Sequence, residues 1–173
     1  MENGFTLYLF LWATIFFGIL LIIPFGKKEK TGKLLDLGCG TGRLGEQVKD
    51  WAACLVGLDL SAEMTRQARE TNSYDEILCE DIISHLSNNP HTYRLIIATA
   101  VLLHFSALEE LFDLVSKALT PYGAFVFTIH TCAKESIQIT NKLYFLHSET
   151  YTEKVASKAG LKVMYKKSDI HEI

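Results

Sequence analysis

From Lys33 onward, short apolar runs alternate with amphipathic stretches. The runs Leu34–Leu37, Leu55–Leu60, Glu76–Ile82, Tyr93–Val101, Ala124–Ile129 and Leu161–Tyr165 read as strands. Leu34, Leu35 and Leu37, and later Leu95, Ile96 and Ile97, leave no polar face, as strands covered on both sides require. The intervening stretches carry helical signals. Arg43–Lys49 places Leu44 and Val48 at i, i+4. Ser61 can cap the helix after the second strand, with Glu63 in its first turn. Ser106-Ala-Leu-Glu109 forms a capping box ahead of a one-sided stripe of Leu108, Leu111, Phe112, Val115 and Leu119, which Pro121 and Gly123 end. Thr150 and Glu153 form a second box, and Gly160 marks a helix end. This alternation predicts an α/β fold, a doubly wound and mostly parallel sheet.

The amino-terminal segment departs from that rhythm. No charged residue occurs from Asn3 to Gly26. A helix over residues 5–24 would span roughly 30 Å, the thickness of a bilayer's hydrocarbon layer. Residues 1–26 therefore predict one hydrophobic helix, either crossing a membrane or packed on the domain. Lys27, Lys28 and Lys30 follow it and favour a cytoplasmic carboxyl-terminal side. Residues 27–32 read as a linker and 33–173 as the domain. The net charge of −3 comes without a basic block, so no nucleic-acid partner is expected. Cys39, Cys54, Cys79 and Cys132 lack paired metal-ligand spacing, so neither a zinc site nor any other metal is expected, and a reducing compartment is.

The candidate chemistry begins at Asp36-Leu37-Gly38-Cys39-Gly40-Thr41-Gly42, where the first strand runs into a turn and then a helix. Glycines permit positive φ and close approach of a ligand to the backbone. The dinucleotide fingerprint would need a third small residue where Arg43 stands. Asp59 ends the next strand about 20 residues on, the spacing of an acid that accepts hydrogen bonds from ribose hydroxyls. The run D-x-G-x-G-x-G resembles the first motif of class I S-adenosylmethionine-dependent methyltransferases. The resemblance implies a Rossmann-like sheet and S-adenosylmethionine as cofactor. It places Asp36, Gly38, Cys39, Gly40 and Gly42 around the methionine end and ribose, with Asp59 and Leu60 beyond them. It also places Asp81 at the adenine amino group, the Ile82 N–H at a ring nitrogen, and Thr99 at the start of the methyl-transfer loop. Val56–Ser61, Ile97–Phe105 and His147-Ser148 resemble, more narrowly, the bacterial methyltransferase-domain or tetratricopeptide-associated group.

Some features depart from that family. Arg94 and Ala100 stand where it often has acids. Its sheet normally ends in an antiparallel strand inserted between the fifth and sixth, for which no carboxyl-terminal residues remain. Its covering amino-terminal helices are replaced by the apolar segment. Neither an Asn/Asp-Pro-Pro-Tyr/Phe motif nor a Pro-Cys nucleophile is present, which points away from nucleobases and protein amides. The expected function is methyl transfer to a small or lipid-like acceptor. His104 is the candidate base, and Tyr144 and His147 are lid candidates. The competing expectation is a degenerate, membrane-tethered module that holds cofactor or a partner without turnover.

Overall fold

The computed structural model describes residues 5–9, 30–132 and 137–169. The chain divides into two compact units, one of residues 25–98 and 117–125, the other of residues 1–24, 99–116 and 126–173.

The first unit is a parallel sheet with short crossover helices. Its strands are β2 (Thr31–Leu37), β3 (Ala52–Asp59), β4 (Glu76–Cys79), β5 (Tyr93–Ala98) and the first half of β6 (Leu119–His130). They lie in the order β4-β3-β2-β5-β6. β2 sits centrally, with Leu35 opposite Val56 of β3 on one side and Ile96 of β5 on the other, both parallel. Leu34, Leu35, Leu37, Val56, Leu58 and Ile96 are fully buried, which accounts for the absence of polar alternation in these strands. The helices are α1 (Arg43–Val48), α2 (Ala62–Glu70) and α3 (Ile82–Asn88). Ser61 caps α2 as expected, its hydroxyl accepting from the Met64 N–H at 3.3 Å. The buried positions of α1 are Gly45 and Val48, so Gly45 takes the place expected of Leu44.

The second unit contains a 3-10 turn (Leu102–His104), most of α4 (Glu109–Ala118), the second half of β6, the hairpin β7 (Gln138–Ile139) and β8 (Phe145–Leu146), α5 (Glu149–Lys158), β9 (Tyr165–Asp169) and β1 (Phe5–Leu9). Phe112 of α4 meets Phe127 of β6 edge-on at 5.1 Å between centroids, a favourable aromatic geometry. Two capping boxes are replaced. The Leu108 carbonyl accepts the first α4 bond, and the Leu108 N–H donates to the Tyr151 hydroxyl at 2.9 Å, so α4 begins at Glu109 without a Ser106 cap. α5 is capped by Ser148, whose hydroxyl accepts from the Tyr151 N–H at 3.1 Å, and not by Thr150. Gly160 ends α5 at φ +77°, as its position implied. The last strand lies at Tyr165–Asp169, later than the expected Leu161–Tyr165.

The largest correction concerns the amino terminus. Residues 5–9 are β1, a strand, not the start of a helix. β1 pairs antiparallel with β6 (Leu7 opposite Thr128) and antiparallel with β9 (Leu7 opposite Lys167). An antiparallel strand therefore does stand between β6 and β9, supplied by the front of the chain. Five apolar and β-branched or aromatic residues in a row suit a strand with neighbours on both sides as well as they suit a helix. Residues 10–24, where the rest of the expected hydrophobic helix falls, lie outside the described residues. Among the described residues no helix is long and apolar enough to cross a membrane.

Candidate cofactor and acceptor sites

In the first unit, β2 delivers Asp36 and then the glycine turn. Gly38, Gly40 and Gly42 all have positive φ, at +68°, +53° and +88°. The two later glycines do different work. A Cβ built on Gly40 would meet nothing within 4 Å, so the turn opens a cradle there. A Cβ on Gly42 would come within 3.1 Å of the Ala68 Cα and 3.0 Å of the Thr71 methyl, so Gly42 lets α1 approach α2.

The turn is held by the protein's own polar groups. Asp59, at the end of β3, accepts from the Gly40 N–H through one carboxylate oxygen and from the Ser61 N–H through the other, each at 2.9 Å. Each of those oxygens keeps a further lone pair, so the carboxylate can also accept from a ligand hydroxyl. The Cys39 N–H donates to the Leu58 carbonyl at 2.9 Å, and its thiol is buried. Burial, then the charges of Asp36 and Asp59, push that thiol up to about 12, which keeps it protonated and unreactive. Leu60 beside Asp59 is 73% exposed, leaving an apolar face next to the carboxylate. Asp81 was expected at a strand end; it is instead the N-cap of α3, its side chain accepting from the Ser84 N–H at 2.9 Å. Ile82 begins that helix.

Beneath the turn lies a residue that no motif singles out. The Tyr74 hydroxyl donates to Asp36 Oδ2 at 2.6 Å and accepts from the Gly45 N–H at 3.0 Å. The Tyr74 ring fills the space beside two glycines: a Cβ on Gly45 would meet it at 2.4 Å and one on Gly57 at 2.9 Å. Those paired glycines, one in a helix and one in a strand, were the available signal. Asp36 is fully buried, and its Oδ1 has no hydrogen-bond partner among the described residues. Burial raises the Asp36 carboxyl to about 7; the Tyr74 bond pulls it down, and the Asp59 charge adds to the rise.

The raised value fixes a pH dependence. The folded protein holds the Asp36 proton more tightly than the unfolded chain, so this stabilising contribution is complete below about pH 4. It is lost as pH climbs to about 7 and is constant above that. Asp36→Asn should flatten that slope in denaturant titrations. Tyr74→Phe should lower stability by about 1–3 kcal/mol, the cost of leaving a buried polar group without its partner. Because the lost bond had lowered the Asp36 value, the variant's declining slope should also extend above pH 7.

The second unit carries a separate cleft of about 620 Å³, a size typical of small-molecule sites. Ala100, Leu103 and Leu146 form apolar wall, and His104, His130 and Tyr144 bring aromatic rings. Thr140, Asn141 and Lys142 line it from the β7–β8 hairpin. His104 is exposed at the end of the 3-10 turn and meets the Tyr144 ring edge-on at 5.7 Å. Burial lowers the His130 pKa. Ala100 adopts φ +55° and donates its N–H to Thr128 Oγ1 at 2.9 Å. A non-glycine residue in this conformation is strained. Thr99 precedes it in an exposed bend.

His147 is not a lid residue. It is fully buried, stacked on Tyr151 at 5.8 Å, with Nε2 3.2 Å from the Leu102 carbonyl. Burial lowers its pKa. A neutral ring donating from Nε2 fits that carbonyl and ties β8 to the turn that carries His104. Tyr144 does sit at the cleft, 42% exposed.

A glycine turn after the central strand, an acid closing it from the next strand and helices on a parallel sheet together define an S-adenosylmethionine-dependent methyltransferase fold. Residues 34–123 match the family described as a methyltransferase domain, and the chain belongs to that family. It is 31% identical over 108 residues to the ubiquinone biosynthesis O-methyltransferase of Vibrio atlanticus, covering 60% of this chain and 44% of that protein. The chain spans less than half the length of that protein, and the same holds for the mitochondrial ubiquinone biosynthesis O-methyltransferase of rat. Among solved structures, an S-adenosylmethionine-dependent methyltransferase from Mesorhizobium loti superposes with a TM-score of 0.63 at 23% identity, over 77% of this chain and 75% of that one. Phosphoethanolamine N-methyltransferase 2 of Haemonchus contortus, solved with S-adenosyl-L-methionine, gives 0.61 at 21% identity over 76% of this chain and 34% of that one. These two establish the fold.

Proposed function

We propose that this chain binds S-adenosylmethionine at the glycine turn and transfers its methyl group to an oxygen of a small acceptor, for which the 620 Å³ cleft of the second unit has the size. The observation that carries the reading is the open cradle at Gly40, with its N–H fastened to Asp59. The donor set fits the cofactor. Asp59 accepts from ribose hydroxyls while continuing to hold the turn. Leu60 gives the adenine an apolar face, and Asp81 and the Ile82 N–H meet its polar edge. The buried Oδ1 of Asp36, which has no partner among the described residues, is left to accept from the ammonium of the methionine end. Gly38, Cys39 and Gly42 shape the turn, and Thr99 opens the loop that follows β5. The preference for oxygen rests on the relatives, which are O-methyltransferases by name.

The cofactor supplies a methyl group already activated on a sulfonium. The protein's work is alignment and proton removal. His104 takes the proton from the acceptor hydroxyl, its ring steadied by Tyr144 and its turn anchored through His147. The apolar wall admits an acceptor with a hydrocarbon or ring body.

Isothermal titration of the full-length protein with S-adenosylhomocysteine tests the reading, and micromolar binding is expected. Absence of binding at millimolar ligand would refute it. Asp59→Ala should weaken binding by about 1.5–3 kcal/mol, the range for hydrogen bonds to a charged group. Unchanged affinity would remove Asp59 from the ribose site. Binding without transfer of labelled methyl to any cell-extract component would leave only the role of a cofactor-holding module.

A further inference from the structure

The described walls of the cleft differ from a generic apolar pocket in carrying one formal charge, that of Lys142, and none of the described lining residues is acidic. Lys142 has no carboxylate partner among the described residues. It is not on a loose loop. The Thr140 N–H donates to the Tyr144 carbonyl at 2.8 Å, the Leu143 N–H to the Thr140 carbonyl at 2.9 Å, and the Tyr144 N–H to Thr140 Oγ1 at 3.1 Å. These bonds lock a turn in which Leu143 is held at φ +62° with its side chain 74% exposed. A bulky residue in that conformation costs energy that its own packing does not return. The turn carries Lys142 and Tyr144 to the wall of the cleft.

We propose that the cleft selects an acceptor bearing a carboxylate or similar anionic group beside its hydroxylated apolar body, with Lys142 as the residue that determines this selectivity. A cationic amine acceptor would meet a lysine ammonium and find no described carboxylate. An anion beside the Lys142 ammonium gains a charge-assisted bond instead. Tyr144 and His104, packed edge to face, add aromatic surface against which a planar ring can rest. Bound S-adenosylmethionine would supply the methyl group and be left as a neutral thioether; His104 would take the proton of the acceptor hydroxyl, and the anionic group of the acceptor would be unchanged.

The inference rests on the methyl-transfer reading only in taking this cleft as the acceptor site, and the two fail separately. The test is ligand-observed NMR on the full-length protein with phenol, 4-hydroxybenzoate and tyramine as probes, in the presence of S-adenosylhomocysteine whose own binding is measured on the same sample. The expected result is 4-hydroxybenzoate bound about tenfold tighter than phenol, and tyramine weaker than phenol. Lys142→Ala should bring 4-hydroxybenzoate to within about threefold of phenol, while Lys142→Arg keeps the preference and neither variant alters S-adenosylhomocysteine binding. Equal binding of the anionic and cationic probes, no binding of any probe, or a preference unchanged in Lys142→Ala would overturn the inference. Loss of S-adenosylhomocysteine binding alone, with the anion preference intact, would count against the cofactor reading and for the cleft's selectivity.

Discussion

Gly40→Val should cost the protein its cofactor while leaving it folded. The substitution puts a branched side chain into the open cradle of the turn, where a Cβ meets no protein atom within 4 Å. Whatever occupies that space in the working protein must be displaced. The φ of +53° adds backbone strain of about 1–3 kcal/mol, so the melting temperature should fall by a few degrees. S-adenosylhomocysteine affinity should fall by at least about 100-fold. Gly42→Val is the informative contrast. Its Cβ would press on the backbone of Ala68 and on Thr71, so it should strike stability first, separating α1 from α2. A Gly40→Val protein that binds S-adenosylhomocysteine within about threefold of wild type would mean that the cradle is not the ligand's place.

Leu7→Pro should unfold the second unit. β1 has a partner on each side, β6 and β9, so its N–H groups serve one ladder or the other. Proline removes a donor and cannot sit within a central strand. The expected loss is about 3 kcal/mol or more, a large share of the stability of a small domain. Loss of β1 would also strip β9 of its partner and expose the edge of β6, an invitation to aggregation. Full-length Leu7→Pro should therefore show a lower denaturation midpoint and enhanced proteolysis around residues 165–169. An unchanged midpoint would show that the front of the chain does not belong in the sheet.

Much of the architecture was legible because it is written in near-neighbour patterns. The apolar runs at Leu34–Leu37, Leu55–Leu58 and Tyr93–Ala98 can be buried on both faces only as central strands. The three glycines and the acid about 20 residues later are a local signature, since one helix and one strand separate them. Helix ends were less legible. Ser106 and Thr150 each had the right residue three positions on, yet the Tyr151 hydroxyl took the Leu108 N–H and Ser148 capped α5. Several residues compete for each helix end, and tertiary contacts choose among them.

What the sequence by itself determined is the class of the chain: a parallel α/β sheet and a glycine turn fit for a nucleoside cofactor, with Arg43 where the dinucleotide fingerprint needs a third small residue. These follow from side-chain periodicity and from spacing along a short stretch of chain. Tertiary structure alone decided three things. It made residues 5–9 a strand, because an uncharged apolar run satisfies a helix or a doubly flanked strand equally, and its partners Thr128 and Lys167 lie far along the chain. It brought Tyr74 to Asp36 across 38 positions, turning a motif acid into a buried carboxyl that holds its proton to about pH 7. And it moved His147 into the core while gathering His104, His130 and Lys142 around one cleft. Each depends on which distant groups share a desolvated space, and hydropathy pattern carries no information about that.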